Sequence, residues 1–167
     1  MRTRLLASVA ALAATLLLPS AALALNPPVL SAPSATHDPP ALSWPSVAGA
    51  SLGFVIYRAN GDCAGSPSLS QIGFDPSPSA TAFTDTPAPA EGTHCYRVDS
   101  DDGIQQQSNL VTVTYDVSTP SGSLVSPGTA VHGTAALTAA ASDGLSGVDK
   151  VEFQSSLAGA NSWSTFS

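Results

Sequence analysis

The segment THCYRVDSDDG, residues 93–103, places a histidine beside one of only two cysteines, and an aspartate cluster follows. These residue types could supply a Cys/His nucleophile, a metal site or a calcium loop. The alternation of Tyr96 and Val98 predicts instead a β-strand that runs into a turn. Adjacent side chains of a strand point to opposite faces, so His94 and Cys95 cannot meet as a catalytic pair. We therefore expect no catalytic residues in this segment.

No other sequence pattern indicates an enzyme. The one GxSxG match, residues 49–53, lies between two predicted strands and lacks the strand-to-helix context of a nucleophile elbow. His37, His94 and His132 are isolated, and none lies at metal-ligand spacing from another histidine. We expect a protein that is not an enzyme.

Calcium is the one cofactor that the aspartates suggest. The segment DSDDG is not an EF-hand loop, because its glycine comes too early and the terminal acid is absent. We interpret the aspartates as solvated turn residues and expect no cofactor and no metal, with calcium kept as the alternative. The calcium candidates are Asp99, Asp101, Asp102, Asp143 and Asp149.

Charge and composition exclude two kinds of partner. The 167 residues carry a formal net charge of −7, and only 10% of them are charged. Loss of Arg2 and Arg4 with an N-terminal leader would take the charge from −7 to −9 and leave three cations. Binding to nucleic acid needs several clustered cations, so nucleic acid is excluded as a partner. An anionic membrane surface is disfavoured for the same reason.

The N-terminus has the pattern of a secretory signal peptide, residues 1–24. Arg2 and Arg4 precede an apolar stretch over residues 5–18, and Ala22-Leu23-Ala24 has the small-x-small pattern of a cleavage site. The apolar stretch is short for a membrane anchor. We expect a secreted or extracellular protein, with association with the cell surface as the alternative. We expect no membrane insertion after cleavage of the signal peptide. In an oxidising compartment, two cysteines are expected to pair.

Residues 25–116 have the pattern of an all-β, antiparallel sandwich. Short alternating segments are separated by turn signals such as Asn60-Gly61, and no helical period is present. The order of Trp44, VIYR, FTDT, GTHCYRV and SNLVTVT resembles a fibronectin type III domain. The resemblance implies that Trp44, Tyr57, Tyr96 and Val98 are core residues.

The resemblance also implies positions for His94 and the two cysteines. His94 falls where such domains usually have a corner tyrosine, so we expect its imidazole to bond to backbone. Cys95 points to the outer face of its strand. We expect a Cys63–Cys95 disulfide that pins the end of the 53–59 strand, or the loop after it, to that face.

Residues 117–123 have linker composition, and residues 124–167 begin a second strand pattern. Ser126-Pro127, Gly133-Thr134, Ser146-Gly147-Val148 and the VEF at 151–153 resemble the Ig-like repeats of bacterial surface and secreted proteins. Such a sandwich needs about seven strands and about four are present. We therefore expect an incomplete Ig-like sandwich, the N-terminal part of a truncated domain.

The expected function is a non-catalytic extracellular module that acts as a spacer, adhesion or protein-interaction segment of a secreted or cell-surface protein. The alternative is an accessory portion of a secreted hydrolase whose catalytic domain lies outside this chain. The expected partners are other extracellular domains or proteins, with cell-wall polysaccharide as a further candidate.

Overall fold

The structure is a computed structural model, and it describes residues 25–166. The predicted signal peptide, residues 1–24, lies outside the described residues, as does Ser167. Residues 25–166 form strands, turns and loops without a helix, so they provide no helix that could span a membrane. The strands are β1 (Ala35–Thr36), β2 (Ala41–Ser43), β3 (Gly53–Asn60), β4 (Ser70–Asp75), β5 (Ala82–Thr84), β6 (Gly92–Asp101), β7 (Gln106–Gln107), β8 (Val111–Tyr115), β9 (Ser121–Val125), β10 (Thr138–Ser142), β11 (Phe153–Ser155) and β12 (Ser164–Phe166).

The first eight strands form a sandwich of two sheets, which confirms the all-β expectation. The larger sheet has the order β1-β8-β6-β3-β4, with β7 also paired to β6. The smaller sheet pairs β2 with β5, and a bridge between Ser31 and Ser43 extends it. Most pairs are antiparallel, but β1 runs parallel to β8. The chain thus crosses from the smaller sheet to the larger one between Ser31 and β1.

The core lies between the two sheets. Leu42 and Trp44 from the smaller sheet pack against Phe54 and Tyr96 from the larger one, and all four are almost fully buried. The Trp44 and Phe54 rings lie 5.2 Å apart between centroids, in a tilted arrangement. Val98 and Val113 complete this face of the larger sheet. The inward positions of Trp44, Tyr96 and Val98 agree with the sequence expectation.

The expected core position of Tyr57 is wrong. Ile56 is paired with Val98, and Tyr57 is paired with Arg97. Directly opposed residues of neighbouring strands share a face, so Ile56 points into the core and Tyr57 points outward. In the segment GFVIYRA, apolar residues occupy both the odd and the even positions. The sequence therefore does not show which face of the strand is buried.

The predicted disulfide is present. Cys63 follows β3 in a loop and is bonded to Cys95 of β6, with the two Cα atoms 4.9 Å apart. Cys95 is opposed by Ala59 on β3 and is fully buried beneath that loop. The Cys63 amide also donates to Thr112 Oγ1 at 3.1 Å. The bond therefore fastens the loop after β3 to the outer face of β6, as expected.

Removing this bond is expected to cost a large part of the stability. It closes a loop with a sequence separation of 32. In the chain-entropy model, the double substitution Cys63→Ser, Cys95→Ser should lower the free energy of unfolding by about 3 to 4 kcal/mol. Urea denaturation of both proteins measures the difference. Equal midpoints, or a thiol of the unreduced wild type that alkylates readily, would contradict this role.

Residues 117–166 form two separate two-stranded sheets, β9 with β10 and β11 with β12. The expected linker over residues 117–123 overlaps β9, which begins at Ser121. Many apolar side chains of this part are exposed, as expected for strands without an opposing sheet. They include Leu124, Val125, Val131, Val151, Leu157 and Trp163. A two-stranded sheet is only marginally stable in water by itself.

Limited proteolysis should therefore cut residues 126–163 first. The loops at 126–137 and 156–163 are mostly exposed, whereas the sandwich has its own core and a disulfide. We expect a resistant product that ends near Asp116, detectable by mass spectrometry. A resistant core that still contains residues 126–163 would contradict the prediction that these exposed loops are cut first.

Candidate functional site

The segment at 93–103 forms most of β6 and the turn that follows it. The residues at even positions, His94, Tyr96 and Val98, lie on the inner face. Cys95, Arg97 and Asp99 lie on the outer face. The structure thus separates the histidine from the cysteine, and the sulfur is bonded to Cys63.

His94 makes the backbone bond that was expected of it. Its Nε2 lies 2.8 Å from the Ala90 carbonyl oxygen, which can only accept, so Nε2 carries the hydrogen. The side chain is buried, and its ring is 6.4 Å from that of Tyr96. Its Nδ1 is buried and has no hydrogen-bond partner. His94 therefore holds the corner before β6.

Asp99 is occupied by an arginine, which argues against its role as a calcium ligand. Arg97 Nε donates to Asp99 Oδ1 at 2.8 Å, and Arg97 Nη2 donates to Oδ2 at 2.9 Å. Asp99 is almost completely buried; burial raises the pKa of its carboxyl, and the bonds from Arg97 oppose this rise. The guanidinium also lies 4.6 Å from the centre of the Tyr57 ring, a cation–π contact.

Three of the other four candidate aspartates cap turns. Asp101 Oδ1 accepts from the Gly103 amide at 2.8 Å, and Asp102 Oδ1 accepts from the Ile104 amide at 3.1 Å. Asp143 Oδ1 accepts from the three amides of residues 145–147. Asp149 is exposed. Among residues 25–166, these side chains do not form a group of three or more that could hold a metal ion.

A buried polar cluster that the sequence did not indicate joins the two sheets. Asp85, directly after β5, accepts through Oδ2 from Arg58 Nη1 at 2.6 Å and from the Tyr96 hydroxyl at 2.8 Å. Its own amide donates to the Pro40 carbonyl at 2.9 Å. Arg58 shares the inner face with Tyr96, its paired residue on β6. If the inward face of β3 had been assigned correctly, Arg58 would have been predicted to point inward. A buried guanidinium needs an acceptor, so a partner such as Asp85 would then have been expected.

The surroundings of Tyr96 keep its hydroxyl protonated. Burial raises the pKa of the Tyr96 hydroxyl, and the bond to Asp85 and its negative charge raise it further. Tyr96 therefore stays protonated and acts as a donor at any ordinary pH. Arg58 remains charged, so Asp85 serves two permanent donors.

Replacing Asp85 should weaken the sandwich strongly. Asp85→Ala leaves the Arg58 guanidinium and the Tyr96 hydroxyl without their acceptor, and we expect a loss of about 3 kcal/mol in the free energy of unfolding. Tyr96→Phe keeps the ion pair and should cost only about 1 to 2 kcal/mol. Urea denaturation of the full chain measures both changes.

The matched control is Asp102→Ala, which removes the same charge from an exposed turn. This change loses one exposed turn bond, from the Ile104 amide, and should cost about 1 kcal/mol or less. An Asp85→Ala protein as stable as the Asp102→Ala protein would mean that the cluster does not join the sheets energetically.

The comparisons with known proteins add no relative. The chain matches no protein-family model, and no curated protein matches it.

Proposed function

We propose that the chain is a non-catalytic extracellular spacer module, and that residues 25–116 are a fibronectin type III domain. The observation that carries the proposal is the position of the two chain ends of the sandwich. The Ser100 hydroxyl donates to the Asn26 carbonyl, which puts the N-terminal end beside the last residues of β6. Tyr115 pairs with Gly92, which puts the C-terminal end beside the first residue of β6.

The chain therefore enters the sandwich at one end and leaves it at the other. Gly92 and Ser100 are eight residues apart on one strand. At about 3.3 Å per residue, the two ends are separated by about 26 Å. A domain with this arrangement extends the reach of whatever is attached to it, because the flanking segments leave in opposite directions.

The internal bonds of the sandwich support a stiff element. Cys63–Cys95 ties a loop to β6 on the outer face, and Asp85 joins the two sheets at the other face of β6. At the N-terminal side, Asn109 donates to the Leu30 carbonyl and accepts from the Leu30 amide. In these bonds the side chains hold parts of the sandwich together, which fits a module that keeps a fixed length. Secretion of the chain and independence from any cofactor are parts of the same proposal.

The exposed apolar side chains of residues 117–166 support a role in protein interaction as the second candidate. Leu157 and Trp163 are 84% and 65% exposed. Contact with a partner would remove these apolar side chains from water. Other extracellular proteins or domains are the proposed partners. Cell-wall polysaccharide remains a candidate through the exposed Trp163 ring, and an accessory position beside a secreted hydrolase fits the same geometry.

A replacement experiment tests the spacer function. The chain is placed between a cell-surface anchor and a folded reporter whose binding to a bead-bound ligand depends on its reach. We compare it with a deletion and with an unrelated sandwich of equal end-to-end length. A spacer predicts that the deletion loses binding and that the unrelated sandwich restores it. Failure of the unrelated sandwich to restore binding would favour a specific interaction and contradict a pure spacer.

A calcium titration tests independence from a cofactor. The melting temperature should be the same with EDTA and with millimolar calcium chloride, because four of the five candidate carboxylates are bonded to arginine or to backbone amides. A rise with calcium that Asp101→Ala abolishes would assign a calcium site to the turn after β6. Asp38→Ala removes an exposed carboxylate that is not a calcium candidate and serves as the control.

A further inference from the structure

Three carboxylates meet where the sandwich joins the second part of the chain. Glu91 Oε1 accepts from the Val117 amide at 2.7 Å and from the Ser118 hydroxyl at 2.9 Å. Asp116 Oδ1 accepts from the Ser118 amide at 3.0 Å. The first two residues beyond the sandwich are therefore held by side chains of the sandwich itself.

Asp116 also reaches the second part directly. Its Oδ2 accepts from the Ser146 amide at 2.9 Å, and this residue lies in the turn between β10 and β11. The same amide is shared with Asp143 Oδ1 at 3.0 Å. Asp116 is almost completely buried, and its own amide donates to the Thr36 carbonyl. The carboxylate is thus fixed to the sandwich and bonded to the turn beyond it.

We infer that Asp116 and Glu91 form a clamp that fixes the second part of the chain to the end of the sandwich and that opens when Asp116 is protonated. The segment at 117–120 does not then act as a free linker, although its composition suggests one. A clamp of this kind sets the direction in which the chain leaves the sandwich. It goes beyond the spacer function, because a spacer with a flexible junction would still extend reach.

Hydrogen bonds to Asp116, rather than neighbouring cations, determine the response of the clamp to acid. Asp143 lies next to Asp116 across the Ser146 amide that they share, and Glu91 is linked to Asp116 through Ser118. Within residues 25–166, the arginines and the lysine pair elsewhere: Arg58 with Asp85, Arg97 with Asp99 and Lys150 with Glu152. Bonds from Ser146, through its side chain and its amide, hold the pKa of Asp116 below its usual range, and the bond from the Ser118 amide adds to this effect.

The sign of the pH dependence follows from this lowered pKa. A carboxyl whose pKa is lower in the closed form than in the open form favours closure while it is ionised. The clamp is therefore closed at neutral pH. It weakens as the pH falls through the pKa of Asp116, below the ordinary aspartate value of about 4.

Amide hydrogen exchange of the full chain, followed by NMR, tests the clamp residue by residue. Asp116→Ala should speed exchange at Ser118 by at least about fivefold, the effect of losing one net hydrogen bond. Exchange at Ser146 should speed up less, because its amide keeps the bond to Asp143. Leu145 and Gly147 donate to Asp143 alone, so their exchange should change little. Glu91→Ala should speed exchange at Val117 and leave Ser146 protected.

Two controls separate release of the clamp from unfolding. Protection of the β6 amides in Asp116→Ala should match the wild type, and Asp149→Ala should leave Ser118 and Ser146 unchanged. Small-angle scattering compares the range of dimensions with that of the wild type at pH 7. The range should be wider for Asp116→Ala at pH 7 and for the wild type below about pH 4. Unchanged exchange at both Ser118 and Ser146 in Asp116→Ala, or an unchanged scattering profile, would overturn the clamp.

The clamp and the spacer function can fail separately. Loss of the clamp with retained reach in the replacement experiment would leave a flexible spacer. Conversely, the exchange data could show a closed clamp while the deletion in the replacement experiment keeps full binding. That result would support the clamp and contradict the spacer function.

Discussion

The Asp85 carboxylate is the contact on which the arrangement of the two sheets depends. It follows a strand of the smaller sheet and accepts from Arg58 and Tyr96 of the larger sheet. Apolar packing alone does not fix how two sheets slide past each other, because it is not directional. Hydrogen bonds to a single buried oxygen have a required geometry, and they therefore select one relative position of the sheets. A buried charge also penalises every alternative that leaves it unpaired.

This position of the sheets determines what each face of β6 can do. Tyr96 and Val98 are committed to the core, so the residues between them must point outward. There the disulfide covers Cys95, and the Arg97–Asp99 pair occupies the middle of the strand beneath Tyr57. The residue types that looked reactive in the sequence are consequently used to hold the strand to its neighbours. What remains distinctive is the path of the chain, which runs from one end of the sandwich to the other.

The sequence predicted the longer strands but not the short strands β1 and β7 or the side-chain network. Turn signals separated the segments correctly, and the alternation in residues 93–103 gave the right faces for His94, Cys95 and Tyr96. The face of β3 could not be predicted, because residues 54–57 are all apolar and both parities look buried. That ambiguity misplaced Tyr57 and concealed the inward Arg58, and with it the role of Asp85. The junction bonds were also invisible, since Asp116 and Glu91 accept mainly from backbone amides, which any residue provides.

The distance between the two ends of the sandwich tests the central claim most directly. Cysteines introduced at the exposed residues Pro27 and Val117 can carry spin labels, since the native cysteines are paired. A rigid sandwich that the chain crosses from end to end predicts one narrow distance of about 25 to 30 Å. A distance below about 15 Å would place both chain ends on the same side, and a broad distribution would mean that the module does not hold a fixed length. Either result would contradict a spacer built on this fold.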